Sequence, residues 1–213
     1  MRNSYKLNEW MSLIALIGLL NLFFIIFNPI FSSILFTILP FNVVYNPLVM
    51  WGIILFLIIN INVSFKCITN YQKYQKLEFL LYIRMFFYKI KYNFLEYVQI
   101  SFIYTVICEV LLYVYSINSV ILKLLISFVL MYLWAILIRY CYESSLQSYE
   151  TNFKFIHRIP VYLKNFWNNI VLVIYMVALI YVFITFYSYL MPVFFSTFLY
   201  LLSLEFRRKK ISL

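Results

Sequence analysis

From Trp10 to Phe65, 56 consecutive residues carry no charged side chain, and from Asn165 to Leu204 another 40 carry none. A membrane-crossing helix needs roughly 20 mainly apolar residues, so each run is too long for one span and suits two. Proline cannot continue a helix and asparagine favours turns. Pro40, Asn42 and the Tyr45-Asn46-Pro47 step therefore divide the first run, and a bend near Tyr187 to Pro192 divides the second. With two apolar stretches between the runs, the expected spans are residues 11–35, 48–63, 97–115, 120–138, 167–187 and 192–205. The predicted fold is an all-α polytopic transmembrane bundle of about six spans forming one integral membrane domain. Five spans with a re-entrant end is the competing layout. The first apolar stretch is too long for a cleavable signal peptide, and no small-residue cleavage site follows it.

Composition agrees. Of 213 residues, 66% are hydrophobic and 11% charged, against roughly 25% charge in a soluble domain. The net charge of +10 raises the question of nucleic acid, but no aromatic RNA-binding strand and no zinc-ligand spacing accompany it. Placing both termini in the cytoplasm puts 16 of the 17 basic residues on that side, leaving only Lys123 toward the outside. Such asymmetry is the positive-inside pattern, with the cations beside anionic lipid headgroups. Ser116 to Ser119 reads as a tight polar turn, making the third and fourth spans an antiparallel hairpin.

Two segments between spans are expected in the cytoplasm, at residues 66–96 and 139–164. In the first, Phe79, Ile83, Phe86, Ile90 and Phe94 recur at helical spacing, while Lys73, Lys76, Arg84 and Lys91 cluster on an adjacent face. That pattern describes a basic amphipathic helix on the inner membrane surface. A helix that continues into the third span, its charges snorkelling at the base, describes it as well. The second segment, Glu143 to Trp167, starts polar and becomes basic at Lys154, Arg158 and Lys164, with Pro160 expected to interrupt any helix. Both loops are candidate surfaces for lipid or a partner.

Catalytic and metal chemistry has little to work with. There is no Asp, seven scattered Glu and a single His, His157. A membrane metalloprotease needs paired His ligands, and a Ser-His-acid site needs a group to orient the imidazole. Only Gly18 and Gly52 exist, too few for a Gly-rich phosphate loop. Cys67, Cys108 and Cys141 are odd in number and widely spaced, which suits free thiols. The expectation is a non-enzyme without metal or cofactor.

One ionisable group stands out. Glu109 sits in the apolar stretch Ile100 to Ser116, and an intramembrane carboxylate is costly unless partnered. Reflection about the Ser116–Ser119 turn sets it opposite about position 126, one helical turn from Lys123, a depth mismatch of roughly 5 Å that a lysine stem can cross. A structural Glu109–Lys123 pair or a neutral, hydrogen-bonded Glu109 is expected ahead of a proton or substrate relay.

Several stretches resemble the YesL-like integral membrane family of bacteria. Leu19 to Ile30 (LLNLFFIIFNPI) is similar to that family's Leu-Asn-Leu start. Met85 to Phe102 (MFFYKIKYNFLEYVQISF) is similar to its basic loop before the third span. Tyr162 to Tyr175 (YLKNFWNNIVLVIY) and Leu190 to Leu202 (LMPVFFSTFLYLL) are similar to its fifth-span entry and last helix. The family's Thr-Ile-Gly-Pro stretch is replaced here by Phe36 to Asn42 (FTILPFN). The resemblance implies a multi-pass protein of the bacterial cytoplasmic membrane, encoded beside carbohydrate ABC importers and without an established catalytic site. Its partners would be membrane lipid and either transporter subunits or a cytoplasmic protein, not nucleic acid.

Three functions follow for testing. The first is an accessory membrane subunit docking through the two basic segments. The second is a degenerate ABC permease subunit, because Glu143-Ser144-Ser145 is followed sixteen residues after Glu143 by Ile159, in partial likeness to a permease's cytoplasmic Glu-Ala-Ala loop. The third is a small-solute transporter using Glu109.

Overall fold

The computed structural model describes residues 2–27, 46–74, 79–115, 119–146, 155–185 and 196–207. These form seven helices: α1 Arg2–Ile26, α2 Pro47–Tyr74, α3 Phe79–Tyr115, α4 Val120–Leu146, α5 Phe155–Lys164, α6 Phe166–Thr185 and α7 at 196–207. The expected break at Pro40, Asn42 and Tyr45, the bend at Tyr187 to Pro192, and Lys76 and Lys154 lie outside the described residues.

Among the described residues, α2, α3 and α4 are each long and apolar enough to cross a membrane. A fourth crossing is available if the bent pair Arg158–Lys164 and Phe166–Ala178 counts as one. The apolar part of α1, Trp10–Phe23, is shorter than a full span. Side chains midway along the helices, such as Phe102, Val106 and Val110 on α3 or Leu124 and Phe128 on α4, are exposed. Soluble monomers rarely leave so much contiguous apolar surface uncovered, and a lipid surround removes the difficulty.

Pro47 opens α2, where its fixed φ is already helical and its missing N–H is no loss. The side chain of Asn46 caps the start by accepting the Leu48 N–H at 3.0 Å. This helix is the centre of the molecule: every residue from Ile58 to Phe65 is buried. It packs most extensively on α3, then on α4. Helix α1 runs antiparallel to it, with Ser12 and Tyr71 hydroxyls 2.6 Å apart near one end and the Phe27 carbonyl accepting from Asn60 Nδ2 at 3.2 Å further along. Phe23 stacks on Tyr82 at 4.7 Å between centroids, and Phe27 meets Phe86 at a tilt at 4.3 Å, so the end of α1 grips the start of α3.

Helix α3 corrects one expectation. Lys73 to Glu96 is not a separate surface helix: Lys73 belongs to the last turn of α2, and α3 runs unbroken from Phe79 to Tyr115. At 1.5 Å per residue α3 is about 55 Å long, well beyond a hydrocarbon core of about 30 Å. Polar and charged residues mark where the surroundings change, and they do not end a helix. The stripe Ile83, Phe86 and Ile90 packs into the protein core rather than onto lipid. Phe94, further along, is exposed.

Helices α3 and α4 form an antiparallel pair. The Tyr104 hydroxyl donates to the Leu133 carbonyl at 2.9 Å, and Tyr140 meets Glu96 further along both helices. Ser119 starts α4 as an N-cap, its carbonyl accepting from the Lys123 N–H and its Oγ from the Leu122 N–H.

Helix α5 runs through Pro160, which sequence expectation had taken as an interruption. A proline inside a helix costs about 3 kcal/mol through a lost bond and a clash. The cost is met here by anchors at both ends, and the Pro160 ring points outward to an exposed surface. At Asn165 the chain turns, so that α5 and the first part of α6 lie at 80° to one another. Asn165 bridges the elbow: its N–H and its Nδ2 both donate to the Val161 carbonyl, and its own carbonyl accepts the Asn169 N–H. Finally, α7 closes on the bundle. The Asn21 side chain accepts the Ser196 N–H at 3.2 Å, and Phe206 stacks on Tyr142 at 4.7 Å.

Candidate functional site

Buried polar residues lie on α1, α2, α3, α4, α6 and α7, and three sets of polar side chains, some only half-buried, join the helices. Glu96, half-buried on α3, accepts two hydrogen bonds at Oε1: one from the Tyr140 hydroxyl on α4 at 2.8 Å, and one from the Phe155 backbone N–H at 3.0 Å. Phe155 is the first residue of α5, so its N–H has no partner within that helix. A carboxylate placed there also sits at the favourable end of the helix dipole. Glu96 thus caps α5 from another helix. The Phe155 ring fills the space beneath, against Tyr140 at 4.9 Å and Tyr104 at 6.1 Å.

The second carboxylate holds the other end of α5. Glu143 Oε1 is 3.1 Å from Arg139 Nε one turn earlier on α4, and Oε2 accepts the Tyr162 hydroxyl at 3.0 Å. The Arg139 guanidinium lies 5.5 Å over the Tyr162 ring. Tyr162 is fully buried, and its carbonyl accepts from Asn169 Nδ2 at 2.7 Å, an amide that also reaches the Tyr132 hydroxyl at 3.2 Å. Arg139, Glu143, Tyr162 and Asn169 therefore lock α4, α5 and α6 into one corner.

A third set lies on α2. Asn60 donates to the Phe27 and Phe56 carbonyls and accepts from the Tyr82 hydroxyl. Asn62 faces the other way and donates to the Cys141 carbonyl at 3.1 Å. Between them these amides join α2 to α1, α3 and α4. Asn62 Oδ1, in the same interior, is buried without a hydrogen-bond partner among the described residues.

The residues singled out from sequence fall elsewhere. Lys73 on α2, Arg84 and Lys91 on α3, and Arg158 and Lys164 on α5 are all exposed. Arg84 and Lys91, two turns apart, share one face of α3. The Lys91 ammonium rests 5.2 Å from the Tyr92 ring and that of Lys73 lies 4.9 Å from the Tyr74 ring. Glu109 is half-buried on α3, with Oε1 enclosed and without a hydrogen-bond partner. The α3–α4 register sets it across from residues 127 and 128, about a turn beyond Lys123. If the two are paired, Lys123→Leu and Glu109→Gln will be non-additive, with a coupling of roughly 0.5–3 kcal/mol in a double-mutant cycle. Strictly additive losses in unfolding midpoint would remove the pair.

Sequence reasoning passed over Glu96, Tyr140, Glu143, Tyr162, Asn60, Asn62 and Asn169 as site residues. Two signals were present: the Arg139/Glu143 spacing of one helical turn, and two asparagines within the apolar stretch Ile58 to Val63. Cys67, Cys108 and Cys141 are buried and unbridged. Among the described residues, no three His, Cys, Asp or Glu side chains come together as a metal site would require.

Among the described residues the protein is all-helical, with apolar helices compatible with membrane spans and with half-buried Glu96 and Glu143 engaged in holding helices together. Comparison with known protein families, curated proteins and solved structures finds no match to this chain.

Proposed function

We propose that this chain is a non-catalytic accessory subunit of the bacterial cytoplasmic membrane, with about six spans and both termini in the cytoplasm. It acts by docking a transporter subunit or cytoplasmic protein against its cationic end. The division of labour among charges carries the proposal. Glu96 and Glu143 are both bound by donors from other helices, whereas Arg84, Lys91 and Lys164 stand exposed. A transport or catalytic centre needs polar groups turned toward a substrate. The hydrogen bonds of Glu96, Glu143 and Asn60 run instead from helix to helix.

The permease alternative finds less support. Ser144 and Ser145 are buried and Glu143 is engaged by Arg139 and Tyr162, so these three residues are turned to the protein's interior contacts. The transporter class to test first is carbohydrate import, which the sequence resemblance implies.

Affinity purification in mild detergent followed by mass spectrometry tests the proposal. Wild-type protein is expected to retain specific transporter or cytoplasmic subunits, and Arg84→Glu with Lys91→Glu to lose most of them without a change in unfolding midpoint. Recovery of no specific partner would overturn it.

A further inference from the structure

A cleft of about 320 Å³ opens where the ends of α2, α4 and α7 converge, lined by Thr69, Gln72, Lys73, Tyr142, Leu146 and Arg207. That volume lies at the small end of ligand pockets, which span roughly 300–1,000 Å³. Its chemistry is asymmetric: two cations from different helices, and no carboxylate among the described lining residues. Glu205 is two positions before Arg207, which sets it on the far side of α7.

The polar groups are already partly oriented. Thr69 Oγ1 donates to the Lys66 carbonyl at 3.0 Å, which leaves its lone pairs available as acceptors. Gln72 Nε2 donates to Ser203 Oγ at 2.8 Å, and Ser203 in turn donates to the Tyr200 carbonyl. With Nε2 committed to α7, the Gln72 carbonyl oxygen remains as an acceptor. Tyr142, held between Phe65 at 5.3 Å and Phe206 at 4.7 Å, supplies a rigid wall with Leu146 beside it. The cleft therefore offers cationic donors on two sides, hydroxyl-accepting oxygens and an apolar wall.

The C-termini of α2 and α4 point their partial negative charge here, about half a charge each. That favours cations at these positions and opposes an anion. The helix contribution fades within a turn, while Lys73 and Arg207 bring full charges on long side chains that reach past the helix ends. Their sum stays positive.

Depth is consistent with a membrane ligand. Helix α2 is about 42 Å long, against about 30 Å of hydrocarbon and about 40–45 Å including headgroups. Thr69, Gln72 and Lys73 occupy its last turn and a half, the part of the helix that exceeds the hydrocarbon length.

We infer that this cleft binds a phosphoester bearing free hydroxyls, of the glycerol phosphate type, with Lys73 and Arg207 on the phosphate and Thr69 and Gln72 receiving the hydroxyls. The same chemistry occurs in an anionic phospholipid headgroup and in a soluble sugar or glycerol phosphate.

Native mass spectrometry of delipidated protein, titrated with phosphatidylglycerol or phosphatidylcholine in detergent, tests the lipid source. Calorimetry with glycerol 3-phosphate tests the soluble one. One phosphatidylglycerol should bind at least roughly tenfold more tightly than phosphatidylcholine, and Lys73→Gln with Arg207→Gln should lose roughly tenfold or more per charge-assisted contact removed. The control pair Lys73→Arg with Arg207→Lys keeps both charges in the cleft and should retain most of the binding. All variants should share the wild-type unfolding midpoint, because both side chains are exposed. Glycerol 3-phosphate binding with no lipid preference assigns the site to a soluble ligand. Equal loss in the control pair, or binding of neither probe, overturns the inference.

Discussion

Replacing Glu96 with leucine will destabilise the protein in detergent by roughly 2–4 kcal/mol, because the change strands two donors at once. The Tyr140 hydroxyl and the Phe155 N–H both rely on Glu96 Oε1, and Tyr140 and Phe155 are buried. A single interhelical hydrogen bond within a membrane protein averages only about 0.6 kcal/mol, with about 1.7 as a ceiling. The large effect comes from the orphaned groups and the loss of the α5 cap, not from bond strength. Glu96→Gln keeps an acceptor oxygen and should recover more than half of the loss. Tyr140→Phe alone should cost about 1 kcal/mol, and less in the Glu96→Leu background, where its partner has gone. Thermal unfolding of the four proteins measures this. Hydrogen exchange should also report faster opening of residues 155–164 in Glu96→Leu. A leucine variant as stable as wild type, with α5 equally protected, would show that Glu96 does not hold the helix.

Asn60→Leu is expected to be similarly severe. Asn60 is the one side chain that contacts the Phe27 carbonyl, the Phe56 carbonyl and the Tyr82 hydroxyl together. Leucine fills nearly the same volume but leaves Tyr82, fully buried, with its hydroxyl facing an apolar group. A loss of roughly 2–4 kcal/mol follows from two unsatisfied groups at about 1–3 each, reduced by partial relaxation. Adding Tyr82→Phe should restore part of it, since removing both partners of a buried bond costs less than removing one. The fluorescence or denaturant midpoint of the double variant decides the matter: a double variant weaker than Asn60→Leu alone would mean that Tyr82 has another role.

The apolar segments of this fold were legible because lipid-scale hydrophobicity is written residue by residue. Pro47 as a boundary and the approximate α3–α4 register follow from local chemistry, while most of the expected turn, 116–118, lies outside the described residues. Helix length was not legible. Charged residues at 66–73 and 84–91 signal a change of surroundings, yet lysine and arginine are good helix formers, so α2 and α3 continue straight through them. The corner at α5 was hidden for a different reason. Tyr140 and Tyr162 read as hydrophobic in any pattern, and only tertiary proximity reveals that their hydroxyls meet Glu96 and Glu143. Pro160 misled in the same way: a local rule was overridden by anchors that come from 59 and 19 residues away in the chain, Glu96 to Phe155 and Glu143 to Tyr162. The most conspicuous carboxylate, Glu109, stands deep in an apolar stretch, whereas Glu96 and Glu143, which join helices, sit near changes of charge density and draw less notice.

The all-round burial of α2 bears on how the chain is made. Ribosomes deliver α2 before α3 and α4, so its asparagines enter the bilayer ahead of the groups that will satisfy them. Asn60 finds the end of α1 at once and Tyr82 soon after, but Asn62 must wait for Cys141, 79 residues further on. For that interval of synthesis the Asn62 amide lacks the carbonyl to which it donates in the finished fold.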